Sequence, residues 1–150
     1  MNKHSAFERG LRALESGEYE RALREFSTAV CGGDRPALAL CKRGVCWVRL
    51  HNKQQAANDF DRALELDAGC VPAIVNLGNL ALEDGRLDEA QARYEAALRL
   101  DQNYAAAHYN LAILYKRRGQ LQQSVRAFRL AAKLDGDRRN VLQRLSFWRT

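Results

Sequence analysis

The fold is decided by VPAIVNLGNLALEDGRLDEAQARYEAALRLDQNY (residues 71–104) and by the stretch that follows it, AAAHYNLAILYKRRGQLQQSVRAFRLAAKLDGDR (residues 105–138). The two stretches align without a gap at an offset of 34 residues. Steps back by the same offset bring residues 37–70 and then residues 3–36 into register. A fixed period of this length is typical of proteins built from stacked helical repeats. The four units cover 136 of the 150 residues, so the repeat organises nearly the whole chain.

The recurring residues lie where two helices pack closely against each other. Positions 8, 20 and 27 of the repeat carry small side chains, which allow two helix backbones to approach, and position 24 carries an aromatic ring that fills the space beside them. The residues in chain order are Gly10, Gly44, Gly78 and Ala112 at position 8, Ala22, Ala56, Ala90 and Ser124 at position 20, Phe26, Phe60, Tyr94 and Phe128 at position 24, and Ala29, Ala63, Ala97 and Ala131 at position 27.

A break at position 15 divides each repeat into two helices. Gly17, His51, Gly85 and Gly119 occupy this position, and apolar residues recur at spacings of three and four on both sides of it. Glycine at the end of a helix favours a left-handed C-terminal cap. Each unit is therefore predicted to be an antiparallel helix pair, and the pairs must stack because one pair cannot bury its own apolar faces. The Asp-Gly pair at 84–85 then belongs to a helix–helix turn rather than to a β-hairpin.

This pattern resembles the tetratricopeptide repeat family, with His51 and Ser124 as two mild departures. The family proline at position 32 is absent from all four units, which affects only the turn between repeats. The resemblance implies an all-α, right-handed superhelical solenoid of four helix pairs, forming a single domain over residues 1–150. Val141, Leu142, Leu145 and Trp148 have the spacing of an amphipathic capping helix at about residues 139–149, which makes nine helices in all.

Two repeats carry a pair of opposite charges at positions 7 and 23. These are Arg9 with Glu25 and Arg43 with Asp59, whereas the other two repeats have leucine at position 7. The acid is present only where the arginine is. We therefore predict two ion pairs, each joining the two helices of one repeat, and we expect the loss of one partner to be more harmful than the loss of both.

No motif for catalysis, a cofactor or a metal is found. The sequence contains no P-loop, no H-E-x-x-H and no G-x-S-x-G motif, and its three histidines are far apart. The cysteines lack the C-x-x-C spacing of zinc and redox sites, so we expect reduced thiols that pack as small hydrophobic groups. Cofactors and metals are not expected, and the chain is predicted not to be an enzyme. The four cysteines are Cys31, Cys41, Cys46 and Cys70.

The family resemblance also implies where a partner binds. In that family the first helix of each repeat, helix A, lines a concave groove through positions 2, 5, 6, 9, 12 and 13. In this chain the groove is predicted to be largely apolar, with amides that suit the backbone of an extended peptide. An alternative is that the stacking of the chain itself covers several of these side chains. The residues expected to bind are Phe7, Leu11, Cys41, Val45, Val75, Asn76, Asn79, Tyr109, Asn110 and Ile113.

A specific family device, a clamp for C-terminal carboxylates, is not supported by the sequence. Of the positions that form this clamp, only Asn76 is matched. We therefore do not expect the chain to bind the C-terminal tails of heat-shock chaperones.

The C-terminal third of the chain is strongly basic. Residues 105–150 carry 10 Lys and Arg against 2 Asp, whereas residues 1–104 carry 14 against 16 acidic residues. Basic side chains near aromatic ones suit nucleic acid, an anionic membrane or an acidic protein, although a solvated polar face together with the preference of cations for helix ends is the better explanation. The candidate basic patch consists of Lys116, Arg117, Arg118, Arg138, Arg139 and Arg144.

Together these features predict a non-catalytic interaction module or scaffold. Its partner is expected to be a protein or peptide with an apolar segment, bound as a peptide or amphipathic helix in the concave groove. The alternatives are a self-assembling homo-oligomeric scaffold, or attachment to nucleic acid or an anionic membrane through the basic third. The N-terminus lacks the apolar core of a secretory signal, and no stretch approaches the roughly 20 apolar residues of a membrane span, so a cytoplasmic location is expected.

Overall fold

The computed structural model describes residues 4–136, and all regular structure within them is helical. The all-α prediction is thus confirmed, and each repeat contributes two helices. The predicted capping helix and Arg138, Arg139 and Arg144 lie outside the described residues. The helices are α1 (Ala6–Glu15), α2 (Tyr19–Cys31), α3 (Pro36–Arg49), α4 (Lys53–Leu66), α5 (Val71–Glu83), α6 (Leu87–Leu100), α7 (Ala105–Arg117) and α8 (Leu121–Asp135).

The turn inside each repeat is a Schellman motif centred on position 15. In repeat one, Gly17 has φ +76° and donates to the carbonyl of Leu14, while Glu18 donates to the carbonyl of Ala13. The same two hydrogen bonds recur in the other three repeats. His51 adopts this left-handed conformation with φ 60° although it carries a Cβ, so the departure in repeat two concerns residue type and not geometry.

The small and aromatic positions pack as the sequence predicts. A Cβ on Gly10 would lie 2.6 Å from Cε1 of Phe26, and a Cβ on Gly44 would lie 2.5 Å from Cε1 of Phe60. In repeat four, Ser124 takes the place of alanine and donates its hydroxyl to the carbonyl of Ala112 at 2.8 Å, so the polar atom is buried with a partner.

Aspartates hold the turns between repeats, where the family has proline. Asp67 and Asp101 each accept a hydrogen bond from the backbone N–H two residues later, at 2.9 and 3.0 Å. This is the Asx-turn geometry by which aspartate stabilises a turn through its own side chain. The absence of proline is therefore compensated locally.

The chain divides into two compact units, Met1–Leu80 and Ala81–Thr150. In the first, α1 packs on α2, α2 on α3 and α3 on α4; in the second, α6 packs on α7 and α7 on α8. The single domain and the right-handed superhelix stay predictions. None of the helices in residues 4–136 is both long and apolar enough to span a bilayer.

Candidate protein-binding surface

Most of the predicted groove residues are buried in the structure. Leu11, Asn76, Tyr109 and Ile113 keep part of their surface open. The accessible apolar surface is therefore smaller than the sequence predicted. The other six residues are covered by the chain itself, as the alternative reading of the sequence expected. These buried residues are Phe7, Cys41, Val45, Val75, Asn79 and Asn110.

Aromatic packing within the repeat explains part of this burial. Phe7 at position 5 meets Phe26 edge to face, with ring centroids 5.8 Å apart, and the guanidinium of Arg35 lies 4.3 Å above the Phe7 ring. In the second unit, Tyr109 makes the equivalent contact with Phe128 at 5.2 Å. In repeats one and four, position 5 thus joins the two helices, because an edge-to-face pair needs both rings in contact.

The position 6 side chains of the first unit remain accessible. Glu8 on α1 is exposed, and Lys42 on α3 and Asn76 on α5 are half-buried. Leu11 lies on the same helix as Glu8, and both line a shallow open depression of about 410 Å³. The accessible face of the A helices in the first unit therefore combines an acid, a base and an amide with a half-buried leucine. Lys42 was not among the predicted binding residues, because a charged side chain at position 6 was not expected to contribute to an apolar groove.

The predicted ion pairs are both present. Arg9 donates from Nε to Glu25 at 2.9 Å, and Arg43 binds Asp59 through Nε at 2.7 Å and through Nη2 at 2.6 Å. Arg43 also donates from Nη1 to the hydroxyl of Ser27 on α2, at 3.0 Å. The hydrogen bond to Asp59 raises the pKa of Arg43. Arg43 therefore joins helices α2, α3 and α4.

The carboxylate of Asp34 binds a backbone N–H at the start of α1. Asp34, in the turn after α2, accepts a hydrogen bond from the backbone N–H of Phe7 at 3.1 Å. The pKa of Asp34 lies below its ordinary value because the Ser5 hydroxyl and this N–H both stabilise the charged form.

Two members of the predicted basic patch are engaged within the second unit. Arg117 donates to the carbonyl of Leu82 at 2.6 Å. Arg118 forms an ion pair with Asp88 and donates to the Gln91 side chain at 2.7 Å. Lys116 is exposed. The guanidinium groups of both arginines thus hold the ends of neighbouring helices together, and the basic patch stays a prediction.

The buried thiol of Cys41 on α3 lies beside an amide of the same unit. The side-chain N–H of Asn76 donates to the Cys41 sulfur at 3.5 Å, and Cys70, directly before α5, is also buried. Within residues 4–136 no cluster of three or more His, Cys, Asp or Glu side chains suits a metal ion.

Three family models match the sequence. A TPR repeat model covers residues 78–119, and two tetratricopeptide repeat models cover residues 7–69 and 105–138. Together the matches span both units.

The chain is also similar to longer curated proteins. It is 30% identical over 91 residues to DnaJ homolog subfamily C member 3 of Bos taurus, which is 61% of this chain and 18% of that protein. It is 32% identical over 81 residues to the tetratricopeptide repeat and J domain-containing co-chaperone DNJ1 of Fusarium oxysporum f. sp. lycopersici, at 54% of this chain and 16% of that protein. The chain thus matches less than a fifth of the length of these relatives.

The fold is similar to solved tetratricopeptide repeat structures. The Arabidopsis OM64 TPR domain superposes with a TM-score of 0.68 at 25% sequence identity, over 75% of this chain and 93% of that domain.

Proposed function

The chain belongs to the tetratricopeptide repeat family, and from this premise we propose that it is a non-catalytic module that binds a segment of a partner protein. The small and aromatic residues that recur in the repeats are used for packing between helices. The resemblance to a named co-chaperone favours a protein partner, although the shared part is confined to the repeats.

We assign binding to the accessible face formed by α1, α3 and α5 within the first unit. The observation that carries this assignment is that Lys42 and Asn76 stay accessible, one repeat apart, while their neighbours Cys41 and Val75 are buried. Lys42 and Asn76 thus present a cation and an amide from helices that are already fixed in place. Preorganised side chains of this kind cost little ordering entropy when a partner binds.

The occupant that fits this face is an extended segment with both apolar and acidic residues. Its carboxylate would meet Lys42, its backbone would hydrogen-bond the Asn76 amide, and its apolar side chains would cover the open part of Leu11. This keeps the apolar segment expected from the sequence and adds the acid, because the accessible surface is less apolar than the sequence suggested.

A peptide-library selection on the full chain tests the proposal. Selected peptides are expected to lose about tenfold in affinity on Lys42→Glu, and about two- to tenfold on Asn76→Ala, as befits one charge contact and one hydrogen bond. Arg62→Glu is the matched control, since Arg62 is exposed on α4 and the charge change is the same. Equal affinities for Lys42→Glu and Arg62→Glu would contradict the assignment.

The choice of Lys42 and Asn76 as targets follows from burial. Val75 is only 3% exposed, so Val75→Glu would place a charge in the core and report on folding instead of binding. Self-assembly and attachment through the basic third stay predictions from the sequence.

A further inference from the structure

The exposed side of α8 carries adjoining apolar and basic residues. Among the described helices α8 packs on α7, while Leu121 stays 65% and Val125 46% exposed one turn apart. These two residues line a shallow open depression of about 310 Å³ together with Gln122, Arg126 and Arg129, and we call the five residues the α8 face. Exposed apolar side chains that adjoin one another often mark an interaction surface.

Faces equivalent to the α8 face are covered elsewhere in the chain by the first helix of the next repeat. The two apolar residues of the α8 face hold positions 17 and 21 of their repeat. At position 17 of repeat one, the Tyr19 ring lies 5.9 Å from the guanidinium of Arg49 on α3. At position 21 of repeat three, Gln91 accepts a hydrogen bond at 2.7 Å from Arg118, the C-cap of α7. Tyr19 and Gln91 are accordingly half-buried, so the α8 face has the register of a surface against which a helix packs.

The charges of the α8 face decide which kind of helix fits it. On α2, position 25 is Ser27, which accepts a hydrogen bond from Arg43 of the covering helix α3 at 3.0 Å. On α8 the same position is Arg129, and Arg126 lies one turn earlier. A covering helix with a cation opposite Arg129 would be repelled, whereas one with a carboxylate would be attracted. The covering helix is therefore expected to be acidic.

Charge also argues against the occupants that this chain could itself supply. Residues 138–150, where the sequence predicts a capping helix, carry four arginines and no acidic residue, so they would bring further positive charge to Arg126 and Arg129. The α8 of a second copy would do the same. The α1 of a second copy carries Arg12 at position 10, which is a buried hydrophobic residue in the other three repeats.

We propose that the α8 face docks an acidic amphipathic helix of a partner protein, in the place where a further repeat would put its first helix. The apolar side of that helix covers Leu121 and Val125, and its carboxylates bind Arg126 and Arg129. The α8 face lies in the second unit and shares no residue with the face of the first unit assigned above. The two proposals can therefore fail independently.

Two fluorescent peptides based on α7 test the sign of the charge. Both contain residues 105–118, with glutamine in place of the cations at 116–118. The acidic probe carries Leu111→Glu and Tyr115→Glu, and the basic probe carries lysine at the same two positions. These are positions 7 and 11 of the repeat, and position 7 is the one from which Arg43 reaches position 25 in the first unit.

Fluorescence anisotropy with the full chain measures both probes. We expect wild type to bind the acidic probe about tenfold more tightly than the basic one, and Arg126→Glu/Arg129→Glu to reverse this preference. Arg62→Glu/Arg99→Glu is the matched control, since both arginines are exposed on second helices of other repeats. Circular dichroism checks that the variants stay helical, and Arg126→Gln/Arg129→Gln, which should abolish the preference, serves if the glutamate variant unfolds. Equal affinities of the two probes for wild type, or a preference that survives Arg126→Glu/Arg129→Glu, would overturn the proposal.

A single added thiol tests whether the α8 face is open. In a Cys31→Ser background the remaining cysteines are buried, so Leu121→Cys is expected to react freely with a maleimide and to be protected by the acidic probe. Protection without any probe would overturn the proposal, and it would indicate residues 138–150 if it is independent of concentration and a second copy if it is not. Phosphatidylglycerol vesicles that protect the thiol where the acidic probe does not would assign the face to a membrane instead.

Discussion

The bidentate pair between Arg43 and Asp59 yields the sharpest test of how the repeats hold together. The Asp59 carboxylate is 3% exposed and Arg43 is 18% exposed, so the two charges are far from equally solvated. Replacing Arg43 leaves a buried carboxylate without its cation and is expected to lower the free energy of unfolding by about 3–5 kcal/mol. Replacing Asp59 is expected to cost less, about 2–3 kcal/mol, because the guanidinium keeps Ser27 and reaches water.

Another repeat of the same chain indicates which residues to use in the double variant. Repeat four carries Leu111 and Ala127 at the two corresponding positions, so Arg43→Leu/Asp59→Ala copies a solution already present in the same molecule. Removing both charges avoids an unpaired ion, and the double variant is expected to lie within about 1–2 kcal/mol of wild type. The coupling energy of the cycle, which is the sum of the two single losses less the loss in the double variant, is then about 3–7 kcal/mol.

Repeat one contains the same kind of ion pair, but its two side chains are more exposed to solvent. Arg9 and Glu25 are 26% and 21% exposed and share one hydrogen bond at 2.9 Å. Solvent screening should reduce their coupling to about 0.5–1 kcal/mol.

Urea unfolding followed by circular dichroism measures both cycles. Hydrogen exchange of the α3 and α4 amides is the second measurement, because stacked repeats need not unfold in one step. Additive effects of Arg43→Leu and Asp59→Ala, with coupling below about 0.5 kcal/mol, would refute the argument from burial. A coupling at Arg9 and Glu25 equal to that at Arg43 and Asp59 would refute the argument from solvation.

Three further perturbations test the turns and the packing. Gly44→Ala should lower the free energy of unfolding by about 1–3 kcal/mol, because the new methyl group meets a fully buried ring of the same repeat; an unchanged urea midpoint would show that the ring can yield. His51→Gly should raise it by about 1 kcal/mol, since the left-handed conformation strains a residue with a Cβ; a lower urea midpoint would show that the His51 side chain contributes more than its backbone costs. The Ser5 hydroxyl and then the N–H of Phe7 lower the pKa of Asp34 in the native protein from its ordinary value of 3.8. The stabilisation that the charged carboxylate provides is therefore complete above this ordinary pKa, and it is lost as the pH falls through the native pKa. Acid titration of Asp34→Asn should therefore show a shallower loss of stability below about pH 4 than wild type, and parallel curves would contradict the assigned contacts.

The sequence predicted the elements whose cause is local or periodic. The repeat, the helix ends at position 15 and the pairing of Arg43 with Asp59 all follow from residues at fixed offsets within one unit. Periodicity indicates which residues face a neighbouring helix, but the extent of their coverage depends on packing between elements. Asn79 was therefore expected at a surface and is buried.

The hydrogen bond from Arg117 to the backbone could not be predicted from the sequence pattern, for a different reason. Its acceptor is the carbonyl of Leu82, 35 positions earlier, and every residue has a carbonyl. A charge pattern marks possible ion pairs between side chains, but it carries no information about side-chain contacts to backbone. Such contacts become visible only when the helix ends are placed.

The hydroxyl of Ser27 gives the Arg43 guanidinium a role at the boundary between repeats. A stack of repeats behaves as a one-dimensional chain in which each boundary contributes its own free energy. At the first boundary a cation anchored in repeat two binds a hydroxyl in repeat one, so the two helix pairs exchange a polar contact in addition to apolar area. Fraying from the N-terminal end must break that contact before it enters repeat two. Local opening of α1 and α2 should thus be energetically linked to α3, and a Ser27→Ala variant would let the first repeat open more independently of the second.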